Sequence, residues 1–482
     1  NVEADETVTC TFTNTKRGTI IVEKQTSPDL APGSFTFTGT AAGTISDNGQ
    51  IIVPNLVPGA YTSTESDPAP TFALTNIACD DSNSTSNVGT RTASFILDPG
   101  ETVKCTFTNT LQAGHIIVDK VTDPSGDSTL FDFTTSYGLP FSLADATTPN
   151  NSGDLAPGTY SVTEAAEPGW DPTSATCSDG SAVSAISLQA GETVTCTFTN
   201  TEQGKIIVEK QTLPDGSLQS FSFTPSYASN FSLTDGQQNP SAFLNPDTYS
   251  VSETVPPGWN QTSAICSDGS PVSAIALGAG ETITCVFTNT QNGHIIVDKV
   301  TNPAADPQSF DFTAGGAGYS NFSLTDTAAP NNQEVAPGAY SVSEGAVTGW
   351  SSDNGVCDQG ETPGSIDVGP GETVTCTFTN TKLGKIIVDK VTDPAGSTQS
   401  FEFNPSWSGT NFFLTDGATP ADSGFLAPGT YNVSETVPAG WDLTSATCDD
   451  GSSPSSIGLA AGEIVTCTFT NTQRGHVITV KN

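Results

Sequence analysis

The chain has 482 residues and a formal charge of −38, from 52 acidic against 14 basic residues, with eleven cysteines and no methionine. Binding phosphate takes clustered lysine and arginine, so this balance excludes nucleic acid and anionic lipid as partners and describes a solubilising, self-repelling surface. No apolar run approaches the ~20 residues that cross a bilayer, so no membrane span is expected in this segment.

Residues 1–15, ending in TCTFTNT, carry the pattern of a closing strand and nothing else. Five units of about ninety residues follow, at 16–110, 111–201, 202–290, 291–381 and 382–472. Residues 473–482 match only an opening strand. In the unit 202–290, GKIIVEK opens with β-branched residues in alternation, and SFSFT and NFSLTD are short strands. NPDTYSVSE is a turn feeding a strand, then come PPGW, a cysteine, a turn at SDGS and the closing strand GETITCVFTNT. Strands of this length, punctuated by turns and lacking helical periodicity, predict an all-β sandwich repeated in tandem. Linkers of three or four residues, such as TEQG, predict a semi-rigid array on the order of 200 Å long. The half-units at the ends leave two readings: a window in a longer array, or strands donated to neighbouring copies of the chain.

A lysine, a glutamate and an asparagine recur in this order in every unit: Lys24/Glu65/Asn109, Lys120/Glu164/Asn200, Lys210/Glu253/Asn289, Lys299/Glu344/Asn380 and Lys390/Glu435/Asn471. Strand alternation puts each on the face that carries the apolar residues: Ile206 and Val208 with Lys210, Tyr249 and Val251 with Glu253, Cys285 and Phe287 with Asn289. A lone lysine on a core face costs several kcal/mol unless it is paired or neutralised. Burial favours the neutral amine and the protonated acid. Such an amine can attack the carboxamide while the acid polarises the carbonyl and passes a proton to the departing ammonia. The expected product is a Lys–Asn amide between the first and last strands. The plainer reading is a snorkelling lysine, a solvated glutamate and a turn-capping asparagine. Its difficulty is that all three types return on core-side positions five times.

Ten cysteines form pairs: Cys79/Cys105, Cys177/Cys196, Cys266/Cys285, Cys357/Cys376 and Cys448/Cys467. With no closely spaced zinc knuckles, one pair per unit predicts a disulfide and an oxidising compartment. Cys10 has the context of a second pair member, and Asn14 and Lys481 are single members of a Lys/Glu/Asn set. Loop-closure arithmetic gives roughly 4–5 kcal/mol for a cross-linked loop of ~80 residues and roughly 3 for a disulfide loop of ~19.

The layout resembles the CnaB/SpaA-type, prealbumin-like modules of bacterial pili and surface adhesins. YSVTEAAEPGW and YSVSETVPPGW are similar to the E-box of pilin modules. The resemblance covers every unit and implies an array of Ig-like or prealbumin-like sandwiches. By it the five lysines and five asparagines are isopeptide partners and the five glutamates the catalysts. The first unit departs with YTSTESDPAPTF, which lacks PGW, and the fourth with GAVTGW, which lacks the proline. No LPxTG-like sorting signal and no pilin-type YPK motif occurs.

His115, His294 and His476 share the slot after the linker glycine with Thr19, Lys205 and Lys385, the pattern of a tolerant surface position. No P-loop, GxGxxG or recurring Ser/His/Asp set is present, and no cofactor or metal is expected. The expected function is an extracellular stalk, fibre or filament whose partners are its own repeats and head-to-tail copies. It would not be a turnover enzyme. The alternatives are an adhesin or matrix protein whose repeats bind a ligand or Ca²⁺ at acidic turns, and a secreted hydrolase with β-repeat accessories.

Overall fold

The computed structural model describes residues 1–479, and among them there is no helix. Two compact units partition the described residues: 1–205 with 241–248 and 276–282, and 206–240 with 249–275 and 283–479. Five sandwiches are laid out along it in tandem.

The second repeat shows the pattern. Its opening strand, His115–Asp123, and closing strand, Thr193–Glu202, lie side by side and parallel in the middle of a four-stranded sheet. Asn150–Asn151 flanks the opening strand and Trp170–Cys177 the closing strand, both antiparallel. Parallel neighbours need a long crossover, and the rest of the repeat supplies it. That crossover builds the facing layer, in which Phe141–Leu143, Phe131–Thr135 and Val162–Glu164 form one sheet. Gly158–Tyr160 pairs separately with Ile186–Leu188. The first repeat closes this layer into five continuous strands and the fourth into four.

Burial follows the pleat. In Gly18–Ser27, Ile20, Val22, Lys24 and Thr26 are buried while their neighbours are not. In Thr193–Glu202 the buried set is Val194, Cys196, Phe198 and Asn200, with threonines on the other face. The linker glycine before each opening strand allows a close approach of backbones. A Cβ on Gly18 would sit 2.6 Å from the Glu101 carbonyl oxygen, and Gly114, Gly204, Gly293 and Gly384 meet the same obstacle.

Residues 1–17 form no strand and are exposed, although their sequence has the closing-strand pattern. A single strand without a neighbour has no ladder to satisfy its backbone groups. Cys10 is unpaired and exposed. Residues 474–479, in the segment expected to open a further repeat, also form no strand, and Lys481 lies outside the described residues.

Candidate functional site

The parallel register sets the site. Lys24 lies opposite Phe107 and Thr26 opposite Asn109, so lysine and asparagine are diagonal neighbours on one core face. The same offset joins Lys120 to Asn200, Lys299 to Asn380 and Lys390 to Asn471. The glutamate comes from the facing layer. Glu65, Glu164, Glu253, Glu344 and Glu435 each pair with the second phenylalanine of an F-x-F strand: Phe37, Phe133, Phe223, Phe312 and Phe403.

All five lysines and all five asparagines are at most 2% exposed. Each lysine Nζ stands 3.5–3.6 Å from its glutamate Oε1, and no glutamate side chain is more than 8% exposed. The amine donates to two carbonyls. One is that of the next residue; the other belongs to the phenylalanine two before the asparagine, as in Lys24 to Phe107 at 2.9 Å and Lys390 to Phe469 at 3.1 Å. In the fifth repeat Lys390 Nζ also donates to Asn471 Oδ1 at 2.9 Å, and in the first Asn109 Nδ2 donates to Glu65 Oε1 at 2.8 Å. Asn109, Asn200, Asn289 and Asn380 each have a buried Oδ1 that accepts no hydrogen bond.

The electrostatics bring acid and base together. Burial pushes the Lys24 amine down to about 8 against the pull of the Glu65 charge. Lys120, Lys210, Lys299 and Lys390 are lowered for the same reason. Burial raises Glu65, Glu164, Glu253 and Glu435 against the opposing lysine charge. The neutral amine and protonated acid therefore lie closer in energy to the ion pair than they would in water.

Two partners escaped the sequence reading. A phenylalanine ring lies 4.1–4.4 Å from every lysine Nζ: Phe35, Phe131, Phe221, Phe310 and Phe401. Each comes eleven residues after its lysine, a constant spacing that was legible but unused. The second is an aspartate that clamps the loop after the lysine. Asp235 accepts the Thr212 and Gly216 amides at 2.6 and 2.7 Å, and Asp47 those of Thr26 and Leu30. Asp145, Asp326 and Asp416 hold Gly126, Ala305 and Gly396 in the same way.

The five expected cysteine pairs are all disulfides: Cys79–Cys105, Cys177–Cys196, Cys266–Cys285, Cys357–Cys376 and Cys448–Cys467. Each joins directly opposed residues of neighbouring strands, with Cα atoms 3.9–4.0 Å apart. It therefore staples the closing strand on the side away from the lysine. The closing-strand members Cys105, Cys196, Cys285, Cys376 and Cys467 are fully buried. Cys105 packs in the core of the first repeat with Val103 and Phe107, and Cys467 in that of the fifth with Val465 and Phe469. These sulfurs are core staples and are not part of the Lys/Glu/Asn cluster, although strand alternation puts them on the same face as the asparagine.

His115 and His294 lie at the surface against Gly153 and Asn332. Among the described residues no group of three or more His, Cys, Asp or Glu is arranged to hold a metal ion, and no helix is long and apolar enough to cross a membrane.

Residues 20–111, 116–202, 206–291 and 386–473 match a SpaA-type family model described as a prealbumin-like fold domain, and 293–378 match a second model of that description. No curated protein matches. Among solved structures the chain is similar to the Bacillus anthracis TIE protein, at 16% identity over 75% of this chain and 68% of that one, with a TM-score of 0.32. It is also similar to the pilus adhesin SpaC of Lactobacillus rhamnosus GG, at 14% identity over 89% of this chain and 58% of that one, with a TM-score of 0.19. The full-length major pilin SpaD of Corynebacterium diphtheriae is matched at 12% identity over 57% of this chain and 98% of that one, with a TM-score of 0.23.

Proposed function

The chain belongs to the SpaA-type family of prealbumin-like fold domains, and on that premise we propose that it is an extracellular structural stalk or surface-fibre protein, each repeat closed by a Lys–Asn isopeptide bond as well as its disulfide. In each repeat the lysine Nζ bonds to the asparagine Cγ, the Cγ–Nδ2 bond breaks, and ammonia leaves. The glutamate carries the amine proton to the leaving group. This is one self-processing event per domain, with no turnover and no cofactor.

The observation that carries the reading is the fifth repeat's buried cluster, where Lys390 Nζ is 2.9 Å from Asn471 Oδ1 and 3.5 Å from Glu435 Oε1. The same three residue types are buried together in every other repeat. Domains of about ninety residues have modest cores, and two covalent staples suit them to an exposed, oxidising setting. The test is the intact mass of the reduced, denatured chain. One ammonia missing per repeat is expected; a chain of full mass overturns the reading.

A further inference from the structure

The fourth repeat rebuilds the strand that covers its asparagine. In repeats 2, 3 and 5 this strand is unbroken: Trp170–Cys177, Trp259–Cys266 and Trp441–Cys448. In repeat 4 the equally long WSSDNGVC splits into Trp350–Ser352 and Val356–Cys357. Asn354 and Gly355 turn the chain between them with φ of 67° and 76°. A Cβ on Gly355 would strike the ring of Phe378, the residue whose carbonyl accepts the Lys299 amine.

This changes what reaches the reacting groups. The residue in register with the asparagine is Leu74, Pro172, Gln261 or Leu443 in the other repeats and Ser352 here. Ser352 Oγ donates to Glu344 Oε2 at 2.9 Å, whereas neither carboxylate oxygen of Glu253 or Glu435 accepts a hydrogen bond. The next residue, Asp353, accepts the Gly355 and Thr379 amides on Oδ1; burial lowers the Lys299 amine, and the charge of Asp353 opposes that shift along with those of Glu344 and Asp326. A cavity of about 340 Å³ reaches Glu344, Ser352 and Asn380. The cavity beside Glu164 in repeat 2 is lined by Pro172 and does not include Asn200.

Attack on the carboxamide needs the shared proton on the glutamate and the amine neutral. A hydroxyl donated to the carboxylate, which no other repeat has at this register position, holds that proton on the lysine, and the added charge of Asp353 acts in the same direction. Resting on the isopeptide reading above, we propose that Ser352 and Asp353 retard the reaction of repeat 4, so that its Lys299–Asn380 bond forms last of the five. They are positioning residues: Ser352 holds the Glu344 carboxylate by a hydrogen bond, Asp353 adds a charge that favours the Lys299 ammonium, and neither takes part in bond exchange. Until that bond closes, repeat 4 is the one domain of the five held by its disulfide alone.

The test follows the full chain made by cell-free synthesis, quenched in acid at intervals and digested, with the cross-linked peptide of each repeat quantified by mass spectrometry. The expected half-time for repeat 4 is about tenfold longer than for each of the other four repeats, a difference of about 1.4 kcal/mol in barrier. Ser352→Ala combined with Asp353→Asn, which keeps an amide acceptor but removes the charge, is expected to abolish the lag. Ser352→Thr is expected to preserve it, and an intact Cys357–Cys376 disulfide in each variant reports folding. Repeat 4 keeping pace in the wild-type chain, or a lag unchanged in the double variant, overturns the proposal. Loss of ammonia from no repeat overturns the isopeptide reading itself, and this proposal with it.

Discussion

Replacing Lys210 by methionine together with Glu253→Gln separates a covalent site from a buried ion pair by the sign of the stability change. If Lys210 and Glu253 were only an ion pair, 3.5 Å apart and fully buried, exchanging them for apolar and neutral groups of similar volume would be neutral or would stabilise by about 1–4 kcal/mol. If Lys210 is bonded to Asn289, the exchange opens a loop. The two residues are 79 apart, and the Cys266–Cys285 bridge shortens the effective loop to about 60 residues. Closing a loop of that size stabilises by about 4.3 kcal/mol. For a domain of this size each kcal/mol moves the midpoint by about 4–8 °C, so the transition of repeat 3 should fall by about 15–35 °C. Calorimetry of the full chain would show the heat of one repeat splitting off to lower temperature. A transition that stays in place or rises refutes the covalent assignment for that repeat, whatever its geometry.

Two further expectations follow from the site. In an Asn109→Ala chain the first repeat cannot close its bond, and Lys24 keeps a titrating amine near 8 when folded against 10.5 ordinarily. Between those values the unfolded chain binds the extra proton, so the stability of that repeat should rise with pH across the window, with the full penalty below it. On the proposed reading the wild-type nitrogen is an amide and the rise should be absent; urea titrations at pH 7.5 and 10 check this, and a rise in both chains contradicts it. Asp235→Ala removes the acceptor for the Thr212 and Gly216 amides and should cost repeat 3 about 2–4 kcal/mol, measured by denaturant midpoint at unchanged slope.

The period-2 alternation of strands made much of this site legible. Lys210 follows Ile206 and Val208 on one face, and Asn289 follows Cys285 and Phe287 on one face, so both could be assigned to the core from spacing alone. The same alternation placed Cys285 inward, and it is buried there, as are its counterparts Cys105 and Cys467. That the opening and closing strands run parallel, with the lysine two residues out of register with its asparagine, could not be read, since pairing across about 80 residues leaves no local signal. Phe221 and Asp235 were missed for different reasons. A phenylalanine in SFSFT reads as ordinary core, and an aspartate in a turn reads as ordinary turn chemistry; only the closed sandwich brings the ring over Lys210 and the carboxylate under the loop that follows it. The broken strand of repeat 4 shows in sequence only as DNG where its neighbours have other residues. Its effect on Glu344 depends on which residue falls in register with Asn380, and the turn decides that.

The parallel pair also decides what each staple does under tension. Force enters repeat 2 at the start of His115–Asp123 and leaves at the end of Thr193–Glu202, and in this register those points lie at opposite ends of two adjacent strands. Without a covalent tie, the ladder between the strands is loaded in shear and the crossover extends once it fails. With the proposed amide in place, the loaded path runs from His115 to Lys120, across to Asn200, and out through Glu202. Everything from Val121 to Thr199 then lies off that path, including the Cys177–Cys196 disulfide. The disulfide therefore adds nothing to the extension limit of a cross-linked repeat, and its contribution there is to resist thermal or proteolytic opening of the crossover. In a repeat whose amide has not formed, the disulfide becomes the only covalent limit, and it holds back just the 19-residue loop it closes. On the proposed reading, the mechanical range of the protein is thus set by how many of its Lys–Asn bonds have closed, with the disulfides determining how well each domain survives at rest.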